Sequence, residues 1–117
     1  MDKNCIFCKI ANGDLPKQPV YEDDLIIAFN DIHPPAPVHI LIIPRKHIPS
    51  IDALEEKDSA LAGNLIMVAQ KIARSLEIAD DGYKLLIREK SHGGQEIDHL
   101  HMHLIGGVPL AEDIKPM

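Results

Sequence analysis

Leu61, Leu65, Val68, Ile72 and Leu76 recur at steps of four and three. That spacing lays an apolar stripe along one side of an α-helix and predicts a long helix over about Glu55 to Leu76. Lys71 and Arg74 near its end suit the negative pole of the helix dipole. Elsewhere the period shortens. Val38 to Ile43 is apolar and β-branched almost throughout, bounded by Pro37 and Pro44, and reads as a well-buried strand with His39 inside it. Val20 to Glu22 and Leu25 to Asn30 flank the polar pair Asp23-Asp24 as a hairpin. Tyr83 to Arg88 makes a fourth strand after the turn Asp80-Asp81-Gly82, and Ile97 to Ile105 a fifth. Cys5 to Ala11, closed by Asn12-Gly13, suits a brief helix with a left-handed stop. His33 to Pro37 is expected as a loop, and Ser91 to Gln95 as a flexible one. The pattern predicts an α+β fold: a mostly antiparallel five-stranded sheet with one long helix on a face and a short N-terminal helix.

Composition narrows the class. The chain has 117 residues, with no repeat and no linker-like tract, so residues 1–117 are expected to form one domain. No apolar run approaches the roughly 20 residues that span a bilayer, and the first five residues lack the basic and apolar regions of a signal peptide. A cytoplasmic protein without a membrane partner is expected. Formal charge is −6 and aromatic content 3%, so neither a positive field nor a stacking platform recommends nucleic acid as a partner. The two cysteines stand as Cys5-Ile6-Phe7-Cys8, a spacing that favours metal chelation or redox chemistry over a structural disulfide. No thioredoxin-like βαβ pattern surrounds them, which leaves metal as the better expectation, with two reduced, semi-buried thiols as the plain alternative.

The densest chemistry lies in His99-Leu100-His101-Met102-His103. In an extended strand side chains alternate faces, so the three histidines share one face and Leu100, Met102 and Leu104 take the other. Neighbouring imidazoles then start roughly 6.6 Å apart, close enough to serve one small ligand. Two chemistries fit. A His-x-His strand can hold catalytic zinc, which lowers the pKa of bound water. A neutral imidazole can instead attack phosphorus itself and form a covalent intermediate that water later cleaves. With an ordinary pKa of about 6.5, imidazole is largely unprotonated at neutral pH, and the second route needs no metal.

The segment His99-Leu100-His101-Met102-His103-Leu104-Ile105 resembles the signature of the histidine triad family, in which histidines alternate with apolar residues. Cys5 to Ile10, Ala28 to Ile32, Val38 to Pro44 and Gly93-Gly94-Gln95 resemble further family segments in the expected order, and Gly106-Gly107 points to the Hint branch, the nucleoside phosphoramidases. The resemblance implies a homodimer whose sheets join across the interface. It implies His101 as the nucleophile, His103 as a hydrogen-bond partner of the phosphate and His39 as a residue that tunes the site. Asp31 matches a ribose-binding carboxylate, well suited to accept two hydroxyl donors. Ile6, Phe7, Ile10, Phe29, Ile32 and Leu41 would form an apolar slot for a purine, with Asn30 beside it. Gly94 and Gln95 would belong to the nucleotide site, and the positions of Arg88 and Glu96 normally face the phosphate or leaving group. The substrates implied are the purine nucleoside monophosphates AMP and GMP as conjugates, opened by hydrolysis at the α-phosphorus. Some relatives with Cys-x-x-Cys at this place hold a structural zinc, which carries over to Cys5, Cys8, His47 and His99 as a closed Cys₂His₂ set. His99 would then serve zinc, and no cofactor would be needed for catalysis.

Two positions depart from the pattern. Arg88 stands where the Hint branch usually has Asn, and Glu96 where it has Ser or Thr. Two unit charges about 4 Å apart interact by roughly 4 kcal/mol at an effective dielectric of 20, so a carboxylate beside a phosphate opposes binding unless neutralised. An Arg88–Glu96 ion pair would explain both changes. It would also suit a second class of protein, one that binds nucleotides or partners with weak or no catalysis.

Overall fold

The computed structural model of the chain describes residues 4–32 and 36–117. Its elements run α1 (Ile6–Ala11), β1 (Pro19–Glu22), β2 (Ile26–Asn30), β3 (Val38–Pro44), α2 (Ser59–Ser75), β4 (Tyr83–Leu86), α3 (Lys90–Gly93) and β5 (Met102–Gly106). The five strands form one sheet in the order β1-β2-β3-β5-β4, with every neighbouring pair antiparallel. This is the expected α+β architecture. Of the predicted proline-rich loop, His33, Pro34 and Pro35 lie outside the described residues.

The helix α2 lays Leu65, Val68, Ala69 and Ile72 against Ile26, Ala28, Ile40, Ile42 and Leu104 on one face of the sheet. Each large apolar side chain buried in this way contributes roughly 1.5–3 kcal/mol, which is why the stripe decides where the helix docks. The opposite face carries Ile27, Phe29, Leu41 and Ile43, and α1 covers part of it with Phe7, Cys8 and Ala11. Six residues are too short to hold helical form alone. Cys5 caps this helix by accepting the Cys8 N–H on its sulfur at 3.4 Å, and Gly13 takes φ +81° just past its end.

Three boundaries differ from expectation. The long helix starts at Ser59 rather than Glu55, because the Asp58 carboxylate accepts the Glu55 N–H at 3.0 Å and Lys46 donates to it at 3.0 Å; two short 3₁₀ turns, Ile51–Ala53 and Glu56–Asp58, occupy the preceding residues. The expected flexible loop at Ser91–Gln95 begins instead as the helical turn α3. It is pinned rather than loose: Gln95 donates to the carbonyls of Pro49 and Ile97, and the Glu89 carboxylate accepts the N–H groups of Ile51 and Asp52. Finally, β4 ends at Leu86 and β5 starts at Met102, so His99 and His101 precede the regular ladder. Leu100 there donates its N–H to the Ile48 carbonyl at 2.7 Å instead of to a strand partner. No described helix is long and apolar enough to cross a membrane.

Candidate functional site

On the face that α1 leaves partly uncovered lies a cleft of about 450 Å³. Phe7, Ile10, Phe29 and Leu41 give it apolar walls; Ile6 and Ile32 also line it, and Ile32 is 73% exposed. Asn30, Asp31, Arg88, Gly94 and Glu96 supply polar lining, and His101 and His103 close one end. These residues come from α1, β2 and the two residues after it, β3, the 88–97 segment, and His101 with β5, which explains why no single stretch of sequence displays the cleft. Of the positions expected to face a nucleotide, Gln95 does not line it, its side chain being committed to Pro49, Ile97 and the Lys90 N–H. Lys17 and Ile97 line it without having been expected.

The triad divides between two places. The rings of His101 and His103 have centroids 5.1 Å apart in the cleft, whereas His99 is fully buried beside His47, also at 5.1 Å. Among the described residues, no cluster of ligating atoms contains two triad histidines: His99 joins Cys5, Cys8 and His47, and His103 joins Asp31 and His39. The shared three-histidine site drawn from strand alternation is therefore corrected, because the chain bends at residues 97–99 before the ladder begins.

Hydrogen bonds fix which nitrogen of each ring carries its proton. His101 Nδ1 lies 2.7 Å from the carbonyl oxygen of His99, which can only accept, so Nδ1 is protonated and Nε2 offers a lone pair. Arg88 Nη1 lies 3.3 Å from His103 Nε2 and can only donate. His103 therefore keeps its proton on Nδ1, which donates to His39 Nε2 at 2.8 Å. His39 in turn directs an Nδ1–H toward Asp31, whose Oδ2 stands 3.5 Å away. That nitrogen is buried and makes no shorter bond among the described residues. The order Arg88, His103, His39, Asp31 thus runs in one direction, each ring donating to the next. No ion pair joins Arg88 to Glu96 among the described residues, which corrects the expected pairing; the stem of Arg88 runs past Gly94, whose added Cβ would meet the Arg88 Cδ at 3.6 Å.

Electrostatics favour the neutral forms of His103 and His39. Burial pushes His103 down to about 4, with His101, Arg88 and His39 adding to the effect and Asp31 opposing it. His39 is lowered by burial and by Arg88 against the pull of Asp31. Because the unfolded histidine titrates near 6.5, the unfolded chain binds more protons between about pH 6.5 and 4. The native state therefore holds this contribution fully above pH 6.5 and loses it as the pH falls toward 4. Ring-proton NMR should show His103 still neutral at pH 5.5; a midpoint near 6.5 would contradict the geometry.

A second cluster sits behind the cleft. The ligating atoms of Cys5, Cys8, His47 and His99 all lie within 4.8 Å of one another. His99 Nδ1 is 3.4 Å from the Cys5 sulfur and 3.5 Å from that of Cys8, and His47 Nδ1 is 3.2 Å from Cys8. His99 Nε2 donates to the Pro44 carbonyl at 2.8 Å, which turns the unprotonated Nδ1 toward the thiols. A tetrahedral ion with sulfur at about 2.3 Å and nitrogen at about 2.0–2.1 Å spaces sulfur from nitrogen by roughly 3.5 Å. The cluster fits a metal ion. Its second-sphere carbonyl is of the kind that orients metal-bound histidine.

Comparison with known proteins agrees with this architecture. Residues 12–110 match the HIT domain. The chain is 48% identical to the purine nucleoside phosphoramidase of Escherichia coli strain K12, over 94% of this chain and 92% of that one. A HIT family hydrolase from Legionella pneumophila Philadelphia 1 superposes with a TM-score of 0.90 at 46% identity, covering 92% of this chain and 96% of its own. A histidine triad protein from Clostridium difficile superposes with a TM-score of 0.94 at 40% identity, covering 97% and 99%. The chain belongs to the histidine triad family.

Proposed function

We propose that residues 1–117 form one HIT domain that hydrolyses purine nucleoside 5'-phosphoramidates or related nucleotidyl conjugates through a nucleotidyl-His101 intermediate. The observation that carries this is the His101 tautomer: Nδ1 is tied to the His99 carbonyl, leaving the Nε2 lone pair for attack. The name of the Escherichia coli relative supplies the substrate class. In the first step Nε2 bonds to the α-phosphorus, the phosphorus–nitrogen bond breaks, and the departing amine takes up a proton. In the second, water attacks phosphorus, gives up a proton and releases the nucleoside monophosphate with neutral His101. The Asp31 carboxylate accepts ribose hydroxyls, and the apolar walls hold AMP or GMP by the base. His39 and Asp31 hold the orientation of His103.

Cys5, Cys8, His47 and His99 are proposed to hold structural zinc, which would tie α1 to the sheet. The four protein ligands leave no open position, so catalysis proceeds without it. A reducing cytoplasm suits such thiolate ligation. A homodimer is proposed with the family.

Arg88 favours a second reading, a nucleotide-binding protein with weak catalysis, because its guanidinium occupies the cleft-side nitrogen of His103. Single-turnover reaction with a fluorogenic adenosine phosphoramidate decides between the two. Wild type is expected to release amine and accumulate a nucleotidyl-enzyme. A silent wild type rescued by Arg88→Asn/Glu96→Ser would establish the second reading instead.

A further inference from the structure

The paired residues across the sheet act as a ruler for the cleft. His103 stands opposite Leu41, Leu41 opposite Phe29, and Phe29 opposite Pro19. Neighbouring strands lie roughly 4.8 Å apart, so β2 is about 10 Å from β5 and the β1 margin about 14 Å from it. A nucleotide with its phosphate at His101 and His103 and its ribose at Asp31 extends along this row, and the distal edge of its base comes to the β1 margin. This placement rests on the nucleotide-site reading above.

Lys17 stands at that margin. It lies two residues ahead of Pro19, is half-buried, and lines the cleft. Its Nζ is 5.6 Å from the centroid of the Phe29 ring, a distance at which the ring's quadrupole holds an ammonium. No carboxylate pairs with it among the described residues. A partly desolvated ammonium with three donors and no acceptor therefore faces the far end of the apolar slot.

We propose that Lys17 reads the C6 edge of the base and selects a 6-oxo purine, guanine or hypoxanthine, over adenine. Guanine presents two acceptors there, O6 and N7, which is the pattern that lysine reads in nucleic acids. Adenine keeps the N7 acceptor but sets the N6 amino donor where guanine has O6, so the ammonium loses one of its two acceptors and meets a donor in its place. Asn30 lines the same cleft, but its amide both donates and accepts and so does not discriminate.

Titration calorimetry with GMP, IMP and AMP tests this without any need for turnover. Wild type is expected to bind GMP and IMP at least roughly tenfold more tightly than AMP. In Lys17→Met, which keeps the length of the stem and removes the charge, the three should bind within about threefold of one another, chiefly because GMP and IMP weaken. Equal affinity for GMP and AMP in wild type overturns the assignment. So does uniform weakening of all three in the variant, which would place Lys17 on the phosphate, or IMP binding as poorly as AMP, which would show that the 2-amino group is read. Failure of all three to bind a folded wild type defeats the nucleotide-site reading as well, whereas binding without preference defeats the role of Lys17 alone.

Discussion

His101→Ala is expected to lower turnover by roughly four orders of magnitude or more and to abolish the trapped nucleotidyl-enzyme, because the other cleft histidine among the described residues, His103, has its unprotonated Nε2 occupied by Arg88. The residue is 8% exposed and its ring packs edge-on against Phe7 at 5.1 Å, so alanine leaves a gap and costs about 1–3 kcal/mol of stability. His101→Asn, which keeps more of the volume and a hydrogen-bonding group, separates the two effects: it should fold close to wild type and remain inactive. Turnover above about a hundredth of wild type in a folded His101→Asn would remove His101 from the nucleophile's role.

Metal removal should have the largest effect on stability. An ion that binds the native state alone stabilises it by about 4 kcal/mol when its free concentration is a thousand times Kd, which for a domain of this size is roughly 10–20 °C in Tm. Chelation, or Cys5→Ser/Cys8→Ser, should lower Tm by that order. Substrate KM should rise more than kcat falls, because Phe7 and Ile10 of α1 wall the cleft while His101 is anchored by its own segment. Elemental analysis of protein purified without chelator provides the check. Metal-free wild type, or unchanged zinc in the double variant, refutes the assignment; kcat falling in strict proportion to zinc at saturating substrate would instead mean that the metal is catalytic.

Much of this was legible in the residues, for physical reasons that differ by element. Val38 to Ile43 read correctly because a strand buried on both faces needs unbroken apolar sequence, and Leu65, Val68 and Ile72 because one helix face meets the sheet. The start of α2 did not, since Leu54 and Leu61 continue the apolar pattern across a turn that Asp58 closes by capping. Strand alternation alone put the three histidines on one face, whereas the family resemblance assigned His99 to the set of Cys5, Cys8 and His47, beside which its ring lies. Arg88 and Glu96 were visible as unusual residues, but not the course of the Arg88 stem past Gly94 to His103. Lys17 sits in a polar, proline-flanked connection that carries no motif. Its signal is positional: two residues before a strand whose first residue faces Phe29.

Phe7 lies edge-on to His99 at 5.9 Å and to His101 at 5.1 Å, and it belongs to the helix that carries both thiols. The two halves of the molecule's chemistry are consequently linked in the thermodynamic sense. With the proposed ion in place, a ligand that fits the cleft only when α1 is docked would tighten the cluster's grip on it, by the same factor by which the ion tightens the grip on the ligand. Starved of metal, such a protein would lose affinity before it lost its nucleophile, and abundant nucleotide would slow the escape of the ion.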